Sequence, residues 1–145
     1  AGLRAGARLY LALLELSSDP REARTHARAA RDAVPEGAFS AIAHAIEARA
    51  CLALGLLEEA DSASALASAW LAAHGPIEEG EATIHRARVD VLEALGRVDE
   101  ARALASRAYA AIETRADALG ETLRAGYLER ASDHVRLRSA RDLRA

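Results

Sequence analysis

The sequence predicts an all-α fold, an array of helix pairs, on two observations. First, residues 54–60 and 95–101 share the frame Leu-Gly, two residues, two acidic residues and Ala, and residues 17–23 form a weaker copy. The alanines that end these copies are 37 and 41 positions apart, close to the period of about 34 residues typical of helix-pair repeats. Second, 38 of the 145 residues are Ala, which has the highest helix propensity, and only three are Pro.

The first helix pair is predicted over about residues 2–34. Leucines lie near one face of its first helix, residues 2–17. The segment Asp19-Pro20-Arg21-Glu22 predicts the start of the second helix, with Asp as the N-cap and Pro at the first helical position. Pro35 and Gly37 predict the end of this helix, because Pro disfavours helix before it and Gly often terminates one.

The second pair is predicted over residues 38–73 and the third over residues 77–119, with the break at His74-Gly75-Pro76 between them. Gly55 and Gly96 are expected to supply the positive φ that closes the first helix of each pair. The remaining segment, residues 121–145, is predicted to be a capping helix with a break near residues 132–133. We treat residues 1–145 as one domain, since a repeat cannot bury its apolar face alone.

The composition is typical of a soluble globular protein, with 51% hydrophobic and 28% charged residues. No apolar run approaches the roughly 18 residues of a membrane span, and the single cysteine, Cys51, cannot form an internal disulfide. We therefore expect a cytoplasmic protein with no membrane partner. The net charge of −3 indicates no partner class. Because the sequence does not begin with Met, we expect a fragment of a larger protein.

The repeated turns resemble those of the tetratricopeptide repeat (TPR) family. In that family a Gly closes the first helix of a repeat, an Ala five residues later packs where the helices cross, and a second small residue lies seven further on. The resemblance implies a right-handed α-α superhelix of about three degenerate repeats plus the cap. The matching positions are Gly55, Ala60 and Ala67, then Gly96, Ala101 and Ala108, and in the first repeat Ala23 and Ala30 with Ser18 in place of Gly.

Residues 75–145 carry a narrower resemblance, through segments 75–80, 93–96 and 123–130. They are similar to the helical tails of large bacterial signalling proteins in which a Ser/Thr kinase or an ATPase module precedes TPR repeats. This resemblance implies a regulatory, non-catalytic region, with any catalysis located upstream.

The residues themselves predict no enzyme, metal site or cofactor. The histidines pair with single acids, as in Glu81 and His85, whereas a metal centre needs three or four converging ligands. No Ser lies in a Gly-x-Ser-x-Gly turn, and the absence of Lys excludes a Gly-x-x-x-x-Gly-Lys phosphate loop. Cys51 lies in the middle of a predicted helix and is expected to pack as a small apolar residue.

The arginine-rich end is the candidate for nucleic-acid binding, and we do not favour that function. Tyr127 is the nearest aromatic residue, and one ring gives no stacking platform for bases. Salt bridges to neighbouring acids are the simpler expectation. The arginines concerned are Arg130, Arg136, Arg138, Arg141 and Arg144.

A binding groove is the remaining candidate, because the TPR resemblance implies that the first helix of each pair lines a concave surface. The predicted groove has a central apolar strip with an Arg on each repeat, suited to an acidic or extended peptide. The alternative is that these arginines pair with acids inside an empty groove. The predicted groove residues are Arg8 and Glu15, then Ile42, Ile46, Arg49 and Leu52, then Thr83, Arg86, Asp90 and Glu93.

Two functions therefore remain open. The first is a protein-interaction or scaffold module that binds a protein or peptide partner in this groove. The second is a spacer or homo-oligomerisation domain, in which Trp70 and Leu71 are buried against another copy, giving for example a homodimer.

Overall fold

The computed structural model describes residues 2–143, apart from the side chain of Arg130, so the predicted end of the cap at residues 144–145 lies outside it. The all-α prediction is confirmed across the described range, which contains helices and no strand. No helix in this range combines the length and apolar character that a membrane crossing requires. The helices are α1 (Gly2–Glu15), α2 (Pro20–Ala33), α3 (Gly37–Ala53), α4 (Leu57–His74), α5 (Glu81–Ala94), α6 (Val98–Asp117), α7 (Glu121–Arg130) and α8 (Ser132–Asp142).

The predicted start of α2 and the predicted glycine turns after α3 and α5 are confirmed. The Glu22 backbone N–H donates to Asp19 Oδ1 at 3.2 Å, and Pro20 occupies the first turn of α2. Gly55 and Gly96 have φ of 75° and 76°. The residues that follow these two glycines donate back to the carbonyls of Cys51 and Leu92, which satisfies the last backbone acceptors of α3 and α5.

One boundary differs from the predictions. Helix α5 begins at Glu81 rather than near residue 77, because Gly80 adopts φ +87°, which a right-handed helix cannot include. The Glu81 carboxylate also accepts a hydrogen bond from the Ile77 backbone N–H at 3.2 Å. The predicted break in the cap is present one residue early, at Ala131, which is extended with φ −79° and ψ 114° between α7 and α8.

Consecutive helices pack against one another from α1 to α6, and α3 also contacts α5. Helix α8 also packs on non-consecutive helices, since it contacts both α5 and α6. Helix α7 contacts α6 and α8. As a result α3, α5 and α8 lie side by side.

Alanine dominates the packed interior of the described chain. The turn alanines Ala23, Ala60 and Ala101 are each fully buried, and Ala60 packs with Cys51 and Val91. Because a methyl group projects so little, helices can approach closely at these positions. Burial raises the pKa of the Cys51 thiol, which fits a packed and unreactive side chain.

Candidate functional site

The side-by-side packing of α3, α5 and α8 gathers a cluster of opposite charges on one surface. We call this surface the α3–α5–α8 face. It brings together four of the predicted groove positions on α5 and one on α3 with two residues of the C-terminal helix. Its residues are Arg49, Thr83, Arg86, Asp90, Glu93, Asp133 and Arg136.

Asp133 links the three helices. Its carboxylate accepts hydrogen bonds from Thr83 Oγ1 at 2.8 Å and from Arg86 Nη1 at 2.9 Å. The Arg49 guanidinium lies 3.9 Å from the same carboxylate. Asp133 also lies in the first turn of α8, where the helix dipole favours a negative charge.

Arg136 of α8 forms the second link to α5. Its Nε lies 2.9 Å from Asp90 Oδ1, and its Nη2 donates to Glu93. Burial raises the pKa of the Asp90 carboxyl, although the charges of Arg136, Arg86 and Arg49 act in the opposite direction. Asp90 and Glu93 are therefore paired within the chain, chiefly by Arg136 of α8 and not by the groove arginines that the empty-groove alternative named, although Arg86 lies 3.6 Å from Asp90.

Arg49 is the least engaged cation of this face. It makes no hydrogen bond to the residues that the structure describes, and its nearest carboxylate, on Asp133, is 3.9 Å away. Burial and the neighbouring charge of Arg86 lower the pKa of its guanidinium, whereas the charges of Asp133 and Asp90 raise it. Arg49 lines a cleft of about 260 Å³, which we call the Arg49 cleft, together with Leu16, Leu52, Ala53 and Asp90.

The other predicted groove residues lie elsewhere. Ile46 is fully buried in the core formed by α1, α2 and α3, so it cannot touch a partner bound at the surface. Ile42 is partly buried beneath Gly80 of the α4–α5 loop. Arg8 is exposed on α1, and Glu15 lies 3.6 Å from His26 of α2, so neither joins the charge cluster.

A second concavity, of about 430 Å³, lies between the α2–α3 turn and α4. Trp70 stacks on His74 at its rim, with ring centroids 4.3 Å apart. His44 and Ser40 line it from α3, and burial, followed by the charge of Arg31, lowers the pKa of His44. Spacing in the sequence did not reveal this cleft because its walls come from two separate segments, residues 35–44 and 66–74.

Trp70 and Leu71, which the sequence predicted to be buried against another copy, are both covered at least in part by their own chain. Leu71 is only 6% exposed inside its own chain, so it has little surface to offer a second copy. Trp70 is half-buried and already packs against the α3–α4–α5 core.

A buried carboxylate, Glu47, was also missed by sequence reasoning. Its two oxygens accept hydrogen bonds from Arg28 Nε and Arg31 Nη1, each at 2.6 Å. The two arginines come from α2 and the acid from α3, so these bonds hold the first helix pair to the next. The available signal was a lone Glu inside an apolar Ala-rich helix.

Two arginines of the basic C-terminal end also pair within the chain. Arg136 binds α5 as described above. Arg141 donates to Glu113 at 3.0 Å and lies over the Tyr109 ring at 4.6 Å. The side chain of Arg130 and the residue Arg144 lie outside the described residues.

Within residues 2–143, no group of three or more His, Cys, Asp or Glu side chains is arranged to hold a metal ion. Scans against protein-family models, curated proteins and solved structures found no match.

Proposed function

We propose that this chain is a non-catalytic protein-interaction module that binds an acidic polypeptide segment at the Arg49 cleft. In this proposal the helix pairs form a right-handed α-α superhelix of the TPR type. The module serves as a cytoplasmic regulatory region of a bacterial signalling protein, where a kinase or ATPase module supplies the catalysis.

Three features support the TPR-type arrangement. The Gly-closed turns after α3 and α5 have the same backbone hydrogen bonds, which makes the two helix pairs alike. The alanines expected at the helix crossings, Ala60 and Ala101, are buried, and so are the second small residues of the motif, Ala67 and Ala108. Finally, α3, α5 and α8 pack side by side, as the inner helices of stacked repeats do.

The binding proposal rests on the guanidinium of Arg49, which makes no hydrogen bond to the described residues. A guanidinium has five N–H donors, and a carboxylate can accept two of them at once. The donors of Arg49 are not used by the described residues, and the neighbouring side chains of Leu16 and Leu52 offer apolar contact beside the charge. An acidic residue flanked by an apolar one matches this combination.

The proposal is tested by selecting peptides from a random displayed library against the purified chain. The selected peptides should be enriched in Asp and Glu. Replacing Arg49→Gln should weaken their binding by tenfold or more, because a lost charged hydrogen bond costs about 1.5–3 kcal/mol. Binding is measured by fluorescence anisotropy of a labelled peptide.

Arg21→Gln is the matched control, since Arg21 is exposed on α2, does not line the Arg49 cleft and carries the same charge. Arg86 is a poor test position, because its donation to Asp133 makes its replacement destabilising. Peptides without acidic enrichment, or equal affinity for the Arg49→Gln chain, would contradict the proposal.

A further inference from the structure

Helix α1 has two apolar faces, and its own chain covers one of them. Leu9 and Ala12 are buried against α2 and α3. On the opposite side Leu3 is 94% exposed, Tyr10 64% and Leu14 58%. Ala7 lies between them and is also exposed. We call Leu3, Ala7, Tyr10 and Leu14 the outer stripe of α1.

The spacing of the outer stripe is symmetric. The steps from Leu3 to Ala7, Tyr10 and Leu14 are four, three and four residues, so the pattern is the same in either direction. When two such helices pack antiparallel about a two-fold axis, Leu3 of each faces Leu14 of the other, and Ala7 faces Tyr10. Each small side chain then accommodates a large one, which is how complementary helix surfaces pack.

The charges beside the stripe favour the antiparallel orientation. At 100° per residue, Arg4 and Glu15 project on the same side of the stripe. Helix α1 has no acid in its first turn and no base in its last. An antiparallel pair therefore places Arg4 of each copy beside Glu15 of the other, and it also opposes the helix dipoles. In a parallel pair, the flanks that carry Arg4 and Glu15 would lie on opposite edges of the interface in the two copies, so this contact could not form.

Glu15 is only partly covered by its own chain, since 30% of its side chain is exposed. Its Oε2 is buried 3.6 Å from the His26 ring, so a contact with a second copy would use the other carboxylate oxygen.

We propose that the outer stripe of α1 is a docking surface for α1 of a second copy of this chain, in an antiparallel two-fold pair. One helix on each side buries less than the roughly 1,200 Å² of a standard stable interface. The dimer is therefore weak, with a dissociation constant in the micromolar range or above. This proposal is independent of the proposed function, because the outer stripe does not include the residues of the Arg49 cleft.

Sedimentation equilibrium of the purified chain tests self-association over loading concentrations from about 1 µM to about 1 mM. The chain should shift from monomer to dimer with concentration. Replacing Tyr10→Glu should weaken dimerisation by tenfold or more while leaving the thermal midpoint unchanged, since Tyr10 is mostly exposed in one chain. Leu123→Glu on α7, where Leu123 is 63% exposed, is the matched control.

A monomer at every concentration, or equal weakening by Leu123→Glu, would overturn the proposal. The charge contact has its own test: Arg4→Glu should weaken the dimer, and adding Glu15→Arg to the same chain should restore it. Failure of the second change to restore dimerisation would overturn the antiparallel pairing.

Disulfide cross-linking tests the orientation directly. A mixture of chains carrying Leu3→Cys and Leu14→Cys should cross-link on oxidation, because these positions face each other. Leu3→Cys alone should not, since its two copies would lie about 16 Å apart along the helix axis. The native Cys51 is fully buried and does not interfere. Equal cross-linking of Leu3→Cys alone would overturn the antiparallel arrangement.

Discussion

Among the described glycines, Gly80 has the least room for a side chain. Its φ of +87° is one that other residues rarely adopt, and a Cβ built there would lie 2.3 Å from Cδ1 and 2.6 Å from Cγ1 of Ile42. The same contact explains why Ile42 is partly buried, since its side chain packs beneath Gly80.

We expect Gly80→Ala to destabilise the protein more than Gly55→Ala does. Both substitutions force a left-handed backbone, at a cost of about 1–2 kcal/mol, but a Cβ at Gly55 meets open space. The additional crowding against Ile42 should cost about 1–3 kcal/mol more. Equilibrium urea unfolding of the two variants measures this difference. Equal losses would mean that Ile42 moves aside freely.

At the scale of elements, α8 is held to the rest of the chain in two ways. Leu137 and Ala140 are buried in a cluster with Val89 and Tyr109. Asp133, at the start of the helix, adds the polar contacts to α3 and α5. The apolar contacts position the helix, and the polar ones fix its first turn.

Replacing Asp133→Asn should loosen this first turn. The loss of a charged acceptor for Thr83 and Arg86 should lower the free energy of unfolding by about 1–3 kcal/mol. Native-state hydrogen exchange should show faster exchange of α8 amides than of α3 amides. Glu129→Gln, at an exposed position on α7, is the control and should leave both unchanged. Equal exchange of α8 in both variants would contradict this account.

The elements that the sequence predicted well are those whose signals are local. Asp19-Pro20 and Gly55 fix helix ends through their own backbone and immediate neighbours. The start of α5 was missed because it depends on the conformation of Gly80 above Ile42, 38 positions earlier. The role of α8 was missed for a similar reason: the Thr83–Asp133 contact joins residues 50 positions apart, and no local pattern encodes it.

At the scale of the whole molecule, two partly buried histidines couple stability to pH. Burial lowers the pKa of His44 and His85 below the usual 6.5. Around His85, the charge of Glu81 raises this pKa, whereas those of Arg107 and Arg115 lower it further. The unfolded chain thus binds more protons than the folded one below about pH 6.5, so stability is lost as the pH falls through this window.

Replacing His85→Gln should therefore reduce the loss of stability on acidification. The difference between the urea midpoints at neutral pH and at about pH 5 should be smaller than in the parent chain, because one proton uptake on unfolding is removed. An unaltered difference in the His85→Gln chain would show that His85 titrates normally.

The alanine-rich interior has a consequence for how the fold responds to temperature. Most buried apolar residues in the described chain are Ala, and each exposes little apolar area when the chain unfolds. Since the heat capacity of unfolding grows with apolar area exposed, we expect it to fall below the usual value of about 12–15 cal/mol/K per residue. A smaller heat capacity gives a flatter stability curve. Close helix packing through methyl groups thus makes the stability of this protein change little between cold and warm conditions.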